Sequence, residues 1–324
     1  MKKGYQLLLC IFFFLSISEG FSWGFFGHKS INRLAVFILP PEMFGFYKLH
    51  INYITEHAVD PDKRRYRDPE EAPRHYIDLD RYEVSAPIDT VPFKWEDAVE
   101  KYSEDTLKEY GIVPWHIQIV FARLVKAFKD KNTELILKYS ADLGHYVSDA
   151  HVPLHSTLNY NGQLTNQQGI HGFWESRLPE LFSGNYDFFV GRAIYLDNTL
   201  RAAWMASETA FAAKDSVLNF EQLLTQRMGE DRKYTFEMRG QSKVRTYSKE
   251  FSKSYSDMLG DQVERRMKLS VLMVASFWYT AWVNAGQPKL DGKKAEILSD
   301  EQLRLLMMEE QRLLFNEKMI GREE

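Results

Sequence analysis

Along most of the chain apolar side chains recur every three to four positions, the spacing that gathers them on one face of a helix. Ile31, Leu34, Ala35 and Ile38 form one such face near the start. "WEDAVEKYSEDTLKEYG" and "PWHIQIVFARLVKAFKDK" each predict a helix with one polar side. "NTELILKYSADLGHYVSDAHV" predicts a helix capped by Asn132 and stopped by Pro153, which cannot continue the hydrogen-bond ladder. Two longer helices follow, in "DNTLRAAWMASETAFAAKDSVLNFEQLLTQRMG" and "QVERRMKLSVLMVASFWYTAWVNAGQP", the second closed by Gly286 and Pro288. The expected fold is all-α, a single multi-helix domain over residues 23–287. A polar linker and an amphipathic C-terminal helix, carrying Leu303, Leu306, Leu313 and Leu314, make up residues 288–324.

Two stretches depart from that pattern. Leu269 to Ala285 carries no charge, yet it contains Ser270, Ser276, Thr280 and Asn284 and is short for crossing a bilayer, so it predicts a buried core helix and no stable membrane span. The first 22 residues join Lys2 and Lys3 to an apolar run from Leu7 to Leu15, then Gly20 and Ser22. That is the pattern of a signal peptide cleaved between Ser22 and Trp23, which predicts export to a periplasm or the exterior. Cys10, the one cysteine, leaves with that segment, so the processed chain holds together without disulfides.

A net charge of −4 argues against a generic polyanion-binding surface. The basic run from Arg232 to Lys253, interleaved with Tyr234, Phe236, Tyr247 and Phe251, reads as a solvated helix face with core aromatics rather than a nucleic-acid track.

The candidate chemistry lies in "GHYVSDAHVPLH". His145 and Asp149 are four apart and share a helix face, whereas His151 is turned elsewhere. Pro153 ends the helix and lets the chain bend, bringing His155 back towards the first two. The same four-residue spacing recurs in "HGFWESRLPE" with His171 and Glu175. One buried histidine would be ordinary core; two histidine–carboxylate pairs separated by a short loop suit a divalent ion, zinc above all. Upstream, "WGFFGHKS" puts His28 close to the processed amino terminus. An α-amino group with a pKa near 8 loses its proton readily enough to coordinate metal, and Gly24 and Gly27 leave the backbone free to fold Trp23 and His28 onto one ion.

Taken together, Trp-Gly-x-x-Gly-His at the processed end, "HAVDPDKRR", "RHYIDLD", "LGHYVSDAHVPLH" and "HGFWESRLPE" resemble the superfamily of zinc-dependent phospholipases C and single-strand-specific nucleases. The resemblance runs in order from Trp23 to about Glu180, and more weakly to Gln287. It implies a mostly helical fold and three zinc ions. One would be held by Asp60, His75, His145 and a bridging Asp149, the second by Asp149, His28 and the Trp23 terminus, and the third by His155, His171 and Glu175. It also implies phosphodiester hydrolysis by metal-activated hydroxide, with Asp60 orienting the nucleophile and Lys63, or Arg64 beside it, stabilising the charge at phosphorus. Lys63 is singled out because in the nuclease branch a basic residue stands three positions after that aspartate.

The substrate evidence divides. The short intervals from Trp23 to His28 and from Asp60 to His75 resemble the nuclease branch, while Glu175 as final ligand, the short loop from His155 to His171 and "GIVPWHI" resemble the phospholipase branch. The balance leans slightly to single-stranded nucleic acid, with phospholipid head groups as the alternative and a non-catalytic zinc-binding exported protein as a reading of another class. Phe26 and Asn159 are the expected substrate-proximal residues.

Overall fold

The computed structural model describes residues 24–82, 91–239 and 242–290, with positions 299, 301, 302, 305 and 308 beyond them. The signal segment, Trp23 and nearly all of the expected C-terminal helix therefore lie outside the described residues. The fold is all-α, as its periodicity predicts, with one two-stranded sheet among the described residues.

Helix α1 (Gly24–Phe37) buries Ile31, Leu34 and Ala35, and is followed by α2 (Pro41–Leu49) and α3 (Ile51–Glu56). Farther on, α4 (Val113–Lys129) and α5 (Thr133–Asp149) form an antiparallel pair. Asn132 caps α5 as expected, its side chain accepting from the Leu135 N–H at 3.0 Å. Asn198 does the same for α6 (Thr199–Met228), accepting from the Arg201 N–H at 2.9 Å. The chain then passes through strands β1 (Tyr234–Arg239) and β2 (Ser242–Tyr247) into α7 (Lys249–Leu259) and α8 (Gln262–Asn284).

Helix α5 sits at the centre, against α1, α4 and α8. Gly144 permits its closest approach to α1, because a Cβ there would overlap the Asn32 side chain. Asn32 donates to the Ala141 carbonyl at 3.2 Å, so the crossing is both close and hydrogen-bonded. On the other side Tyr47 stacks on Trp278 with ring centres 5.0 Å apart, and both bond to Ser140. The uncharged part of α8 is core: Ser270, Ser276 and Thr280 are buried, and the last two accept from the N–H groups of Ile194 and Leu196. No described helix is long and apolar enough to cross a membrane.

Two expectations are corrected. The single helix expected over "WEDAVEKYSEDTLKEYG" is two, Trp95–Tyr102 and Glu104–Tyr110. Ser103 divides them at φ 71° and caps the second by accepting from the Thr106 N–H. The basic run from Arg232 to Lys253 is not one helix face. Its first part is a β-hairpin pairing Tyr234 with Tyr247 and Phe236 with Arg245, and only α7 is helical beyond it.

Candidate metal centre

The donors come from six segments converging on the C-terminal end of α5. His28 stands on the second turn of α1, and His145 and Asp149 on the last turns of α5. Asp62 lies on the one-turn helix Asp60–Arg64, and His75 ends the 3₁₀ turn Ala72–His75. His155 lies on the turn Pro153–Ser156 that Pro153 forces on the chain leaving α5. His171 and Glu175 straddle a step from α-helix into a π-helical turn, Phe173–Arg177, a local widening common at functional positions. Each of these eight side chains is buried.

They form three donor groups: His28 with His145 and Asp149, Asp62 with His75 and His145, and His155 with His171 and Glu175. The Asp149 carboxylate divides its oxygens, Oδ1 lying 3.3 Å from His28 Nε2 and Oδ2 3.0 Å from His75 Nδ1 and 3.2 Å from His145 Nε2. His145 Nε2 is 3.0 Å from His75 Nδ1 and 3.7 Å from Asp62 Oδ1. In the third group Glu175 Oε2 is 3.0 Å from His171 Nε2 and 3.7 Å from His155 Nε2. A tetrahedral zinc with bonds of about 2.0–2.1 Å sets its ligand atoms about 3.3 Å apart, so these separations have the scale of ligand edges.

Surrounding hydrogen bonds settle which ring nitrogen faces inward. His145 Nδ1 donates to the Ala58 carbonyl at 2.8 Å, and His155 Nδ1 to the His75 carbonyl at 2.6 Å. Ser148 gives its hydroxyl proton to the His145 carbonyl and so accepts from His28 Nδ1 at 2.9 Å. All three rings therefore present Nε2 as the lone-pair donor. His75 is reversed: its Nδ1 faces the site and its Nε2 lies 3.6 Å from Glu71 Oε1. Glu71 is fully buried and also bonded by Tyr146, Arg74 and Arg64. Burial opposes its ionisation, but its bonds to His75 and Tyr146 and the Arg64 charge outweigh that and hold the carboxyl well below the usual range.

Electrostatics keep the donors in ligand form. Asp149 is held ionised against its burial by the surrounding histidines. Burial pushes His171 down to about 4, leaving it a neutral imidazole near neutral pH. Both oxygens of Asp62, Nε2 of His155 and both nitrogens of His171 have no hydrogen-bond partner among the described residues. Leaving one such buried polar group unsatisfied costs about 1–3 kcal/mol, and more for a charged one, so several together call for a cation.

Eight of the nine expected ligands can be located, and seven meet here: His28, His75, His145, Asp149, His155, His171 and Glu175. Trp23 lies outside the described residues. Asp60 is the exception. Its side chain is 32% exposed and turned away from the donors, bound to His57 Nδ1 at 2.5 Å and to Lys63 Nζ at 3.0 Å. Asp62 occupies the place expected of it, and Lys63 points outward with Asp60. Arg64 is spent on Asp142, Tyr146 and Glu71. Arg65, to which the resemblance gives no role, is exposed, and its charge reaches His171 strongly enough to help depress that ring's pKa. It stands three positions after Asp62, the offset that led to Lys63 when counted from Asp60.

Phe26 is half-buried on α1. Asn159 is buried with both ends of its amide bound inside the loop after His155, donating to Thr165 Oγ1 and accepting from the Leu164 N–H. His116 and His151 are buried away from the donor groups, His151 donating to the Val147 carbonyl.

No curated protein matches the chain. A family model described as zinc-dependent phospholipase C matches residues 27–237, well over half of its length and including every donor located above. With three buried donor groups suited to zinc inside that match, the chain belongs to the zinc-dependent phospholipase C family and is a zinc-dependent phosphodiester hydrolase.

Proposed function

We propose that the chain is an exported phospholipase C, cleaving the head-group phosphodiester of a phospholipid at a three-zinc site. Asp62, His75, His145 and one oxygen of Asp149 hold one ion. The other Asp149 oxygen, His28 and the Trp23 terminal amine hold the second, and His155, His171 and Glu175 the third. Zinc at such sites acts as a Lewis acid on phosphoryl oxygens and lowers the pKa of water to about 7. The chain does the positioning. Ala58, Ser148, His75 and Glu71 fix the imidazoles, Asp149 ties two donor groups together, and Arg65 offers a cation to the charge that develops at phosphorus.

The observation that carries the lipid reading is the loop after His155. It exposes Leu158, Tyr160 and Leu164, and it lies against the third donor group through the Tyr160 ring, 6.0 Å from that of His171. An apolar rim beside a phosphate site suits acyl chains. Single-stranded nucleic acid is the second reading, favoured by Arg65 at its offset and by the Tyr160 ring as a stacking platform.

Processed protein assayed in parallel on phosphatidylcholine, single-stranded DNA and RNA, with and without chelator, decides the matter. Chelator-sensitive release of phosphocholine is expected; cleavage of nucleic acid alone would transfer the assignment to the second reading.

Export belongs to the same proposal, since an amine freed by cleavage before Trp23 is one of the donors. Gly24 begins α1 packed against Ser176, the neighbour of Glu175, so closely that a Cβ would overlap the serine side chain. That proximity supports a ligand role for the terminus. A variant with one extra residue before Trp23 is expected to bind one zinc fewer and to turn over at least tenfold more slowly. Full zinc content and normal kinetics in that variant would remove the amine from the scheme.

A further inference from the structure

The β1–β2 hairpin has no part in the donor groups, and its two faces differ. Thr235, Glu237, Val244 and Thr246 form one face, all half-buried. On the other, Phe236 pairs with Arg245 and Met238 with Lys243. Phe236 and Met238 are 61% and 65% exposed, among the most exposed large apolar side chains described. Lys243 and Arg245 are also exposed; among the described residues neither makes an ion pair, and each lies over a ring instead, Lys243 over Phe236 at 5.1 Å and Arg245 over Tyr234 at 3.5 Å. Elsewhere in the same basic run Arg232 pairs with Glu250, Lys253 with Asp257 and Lys233 with Glu221, while Lys249, like Lys243 and Arg245, makes no ion pair among the described residues.

The base of the hairpin is fixed. Arg177, two residues beyond Glu175, is buried and makes a bidentate pair with Glu237 at 2.9 and 2.6 Å and a third bond to the Tyr247 carbonyl. Tyr247 stacks on Phe173, with ring centres 3.6 Å apart, within the same π-helical turn that carries Glu175. The outward face is thus held rigidly on the segment that supplies a donor.

We propose that this face docks on an anionic phospholipid bilayer, with Phe236 and Met238 entering the interface and Lys243 and Arg245 lying at the head groups. Charge complementarity selects an anionic partner for two cations that share one face and make no ion pair among the described residues of an otherwise acidic chain. Met238 selects lipid over nucleic acid, because a thioether has neither a stacking plane nor a donor to offer a base and gains by burial in an apolar layer. Rigid attachment through Arg177 and Phe173 keeps a docked surface in register with the donor groups. The inference extends the phospholipase reading but stands on the hairpin alone.

The test uses the full processed, zinc-loaded chain with vesicles of phosphatidylcholine containing phosphatidylserine, and compares it with Phe236→Ser/Met238→Ser and Lys243→Gln/Arg245→Gln variants. All are also assayed on a soluble chromogenic phosphodiester and for binding to a single-stranded oligonucleotide. Wild type is expected to co-sediment with the anionic vesicles, less so at high salt. The charge variant should lose roughly 25-fold in partitioning, taking about fivefold per cation, and the apolar variant at least tenfold, with chromogenic turnover unchanged in both. Equal vesicle binding by wild type and both variants would overturn the proposal, as would losses confined to the oligonucleotide. Hairpin-dependent vesicle binding without lipid hydrolysis would instead defeat the phospholipase assignment and leave docking intact.

Discussion

Asp62→Asn is expected to cost one zinc ion and lower turnover by roughly 10³-fold or more, whereas Asp60→Asn should keep its zinc and stay within a few-fold of wild type. The contrast follows from two environments on one short helix. Asp62 is 2% exposed, has no hydrogen-bond partner for either oxygen among the described residues, and lies 3.9 Å from His75 Nδ1 and 3.7 Å from His145 Nε2. An amide there offers one neutral oxygen where the site needs an anion. Asp60 is about one-third exposed and already satisfied by His57 and Lys63. Although burial opposes ionisation, those two partners hold its carboxyl below the usual range. At that exposure solvent screens the pairs, and losing them costs at most about 1 kcal/mol. Elemental analysis and initial rates on the two proteins separate the assignments. An inactive Asp60→Asn with full zinc, beside an active Asp62→Asn, would restore Asp60 as the nucleophile-orienting residue. Arg65→Ala and Lys63→Ala complete the series: zinc content is unchanged in both, and only the first is expected to slow turnover, by about 10²-fold.

The choice between these aspartates shows what the sequence carried and what it did not. Two positions on a helix are turned by about 200°, so only one of the two carboxylates can face inward. The family-like spacing to His75 favoured Asp60, but the local periodicity favours Asp62. Ala58 and Val59, four and three residues before Asp62, are buried, while of the residues three either side of Asp60, His57 is only half-buried and Lys63 is exposed. Reading "HAVDPDKR" for its helical face would have found the inward residue. His145 with Asp149 and His171 with Glu175 were legible because four-residue spacing fixes a shared face. Pro153 likewise announced the turn that returns His155 to them, whereas the π-helical widening at Phe173–Arg177 has no such pattern in one sequence.

The hairpin was missed for a different reason. Tyr234, Phe236 and Met238 alternate with polar residues, and Val244 and Thr246 add β-branched positions beyond Gly240, a period of two that the density of Lys and Arg obscured. Ser103 followed by Glu104 and Asp105 is likewise a cap followed by an acidic first turn, the mark of a new helix inside an apparently continuous one.

Removing zinc should destabilise the fold far more than any single substitution, because the donor groups are built around charge they cannot otherwise neutralise. Asp149 and Glu175 are fully buried and Asp62 nearly so, and all three converge with the histidines on one small volume. Without cations the histidines are the available source of positive charge, and they supply it unequally. Burial opposes the charge on His75, but Asp149 and Glu71 push that ring up, whereas burial drives His145 down, and His171 to about 4. At pH 7 a neutral His171 therefore gives the buried Glu175 beside it no compensating charge. Chelation is expected to lower the thermal midpoint by more than about 15 °C, taking some 2–4 °C per kcal/mol for a chain of this size and several kcal/mol per ion. Zinc should restore it and magnesium should not, since imidazole-rich sets suit the former. The pH dependence has a definite sign. His171 takes up its proton near 6.5 when unfolded but only near 4 when folded, so the unfolded chain binds more protons between those values and stability falls as pH is lowered through that window. That ring alone contributes at most about 3 kcal/mol of the loss. Competition between protons and zinc for the same nitrogens acts in the same direction, so acid and chelator should reinforce each other. A melting curve indifferent to chelator from pH 7 to pH 5 would mean that the buried carboxylates are balanced by something other than metal.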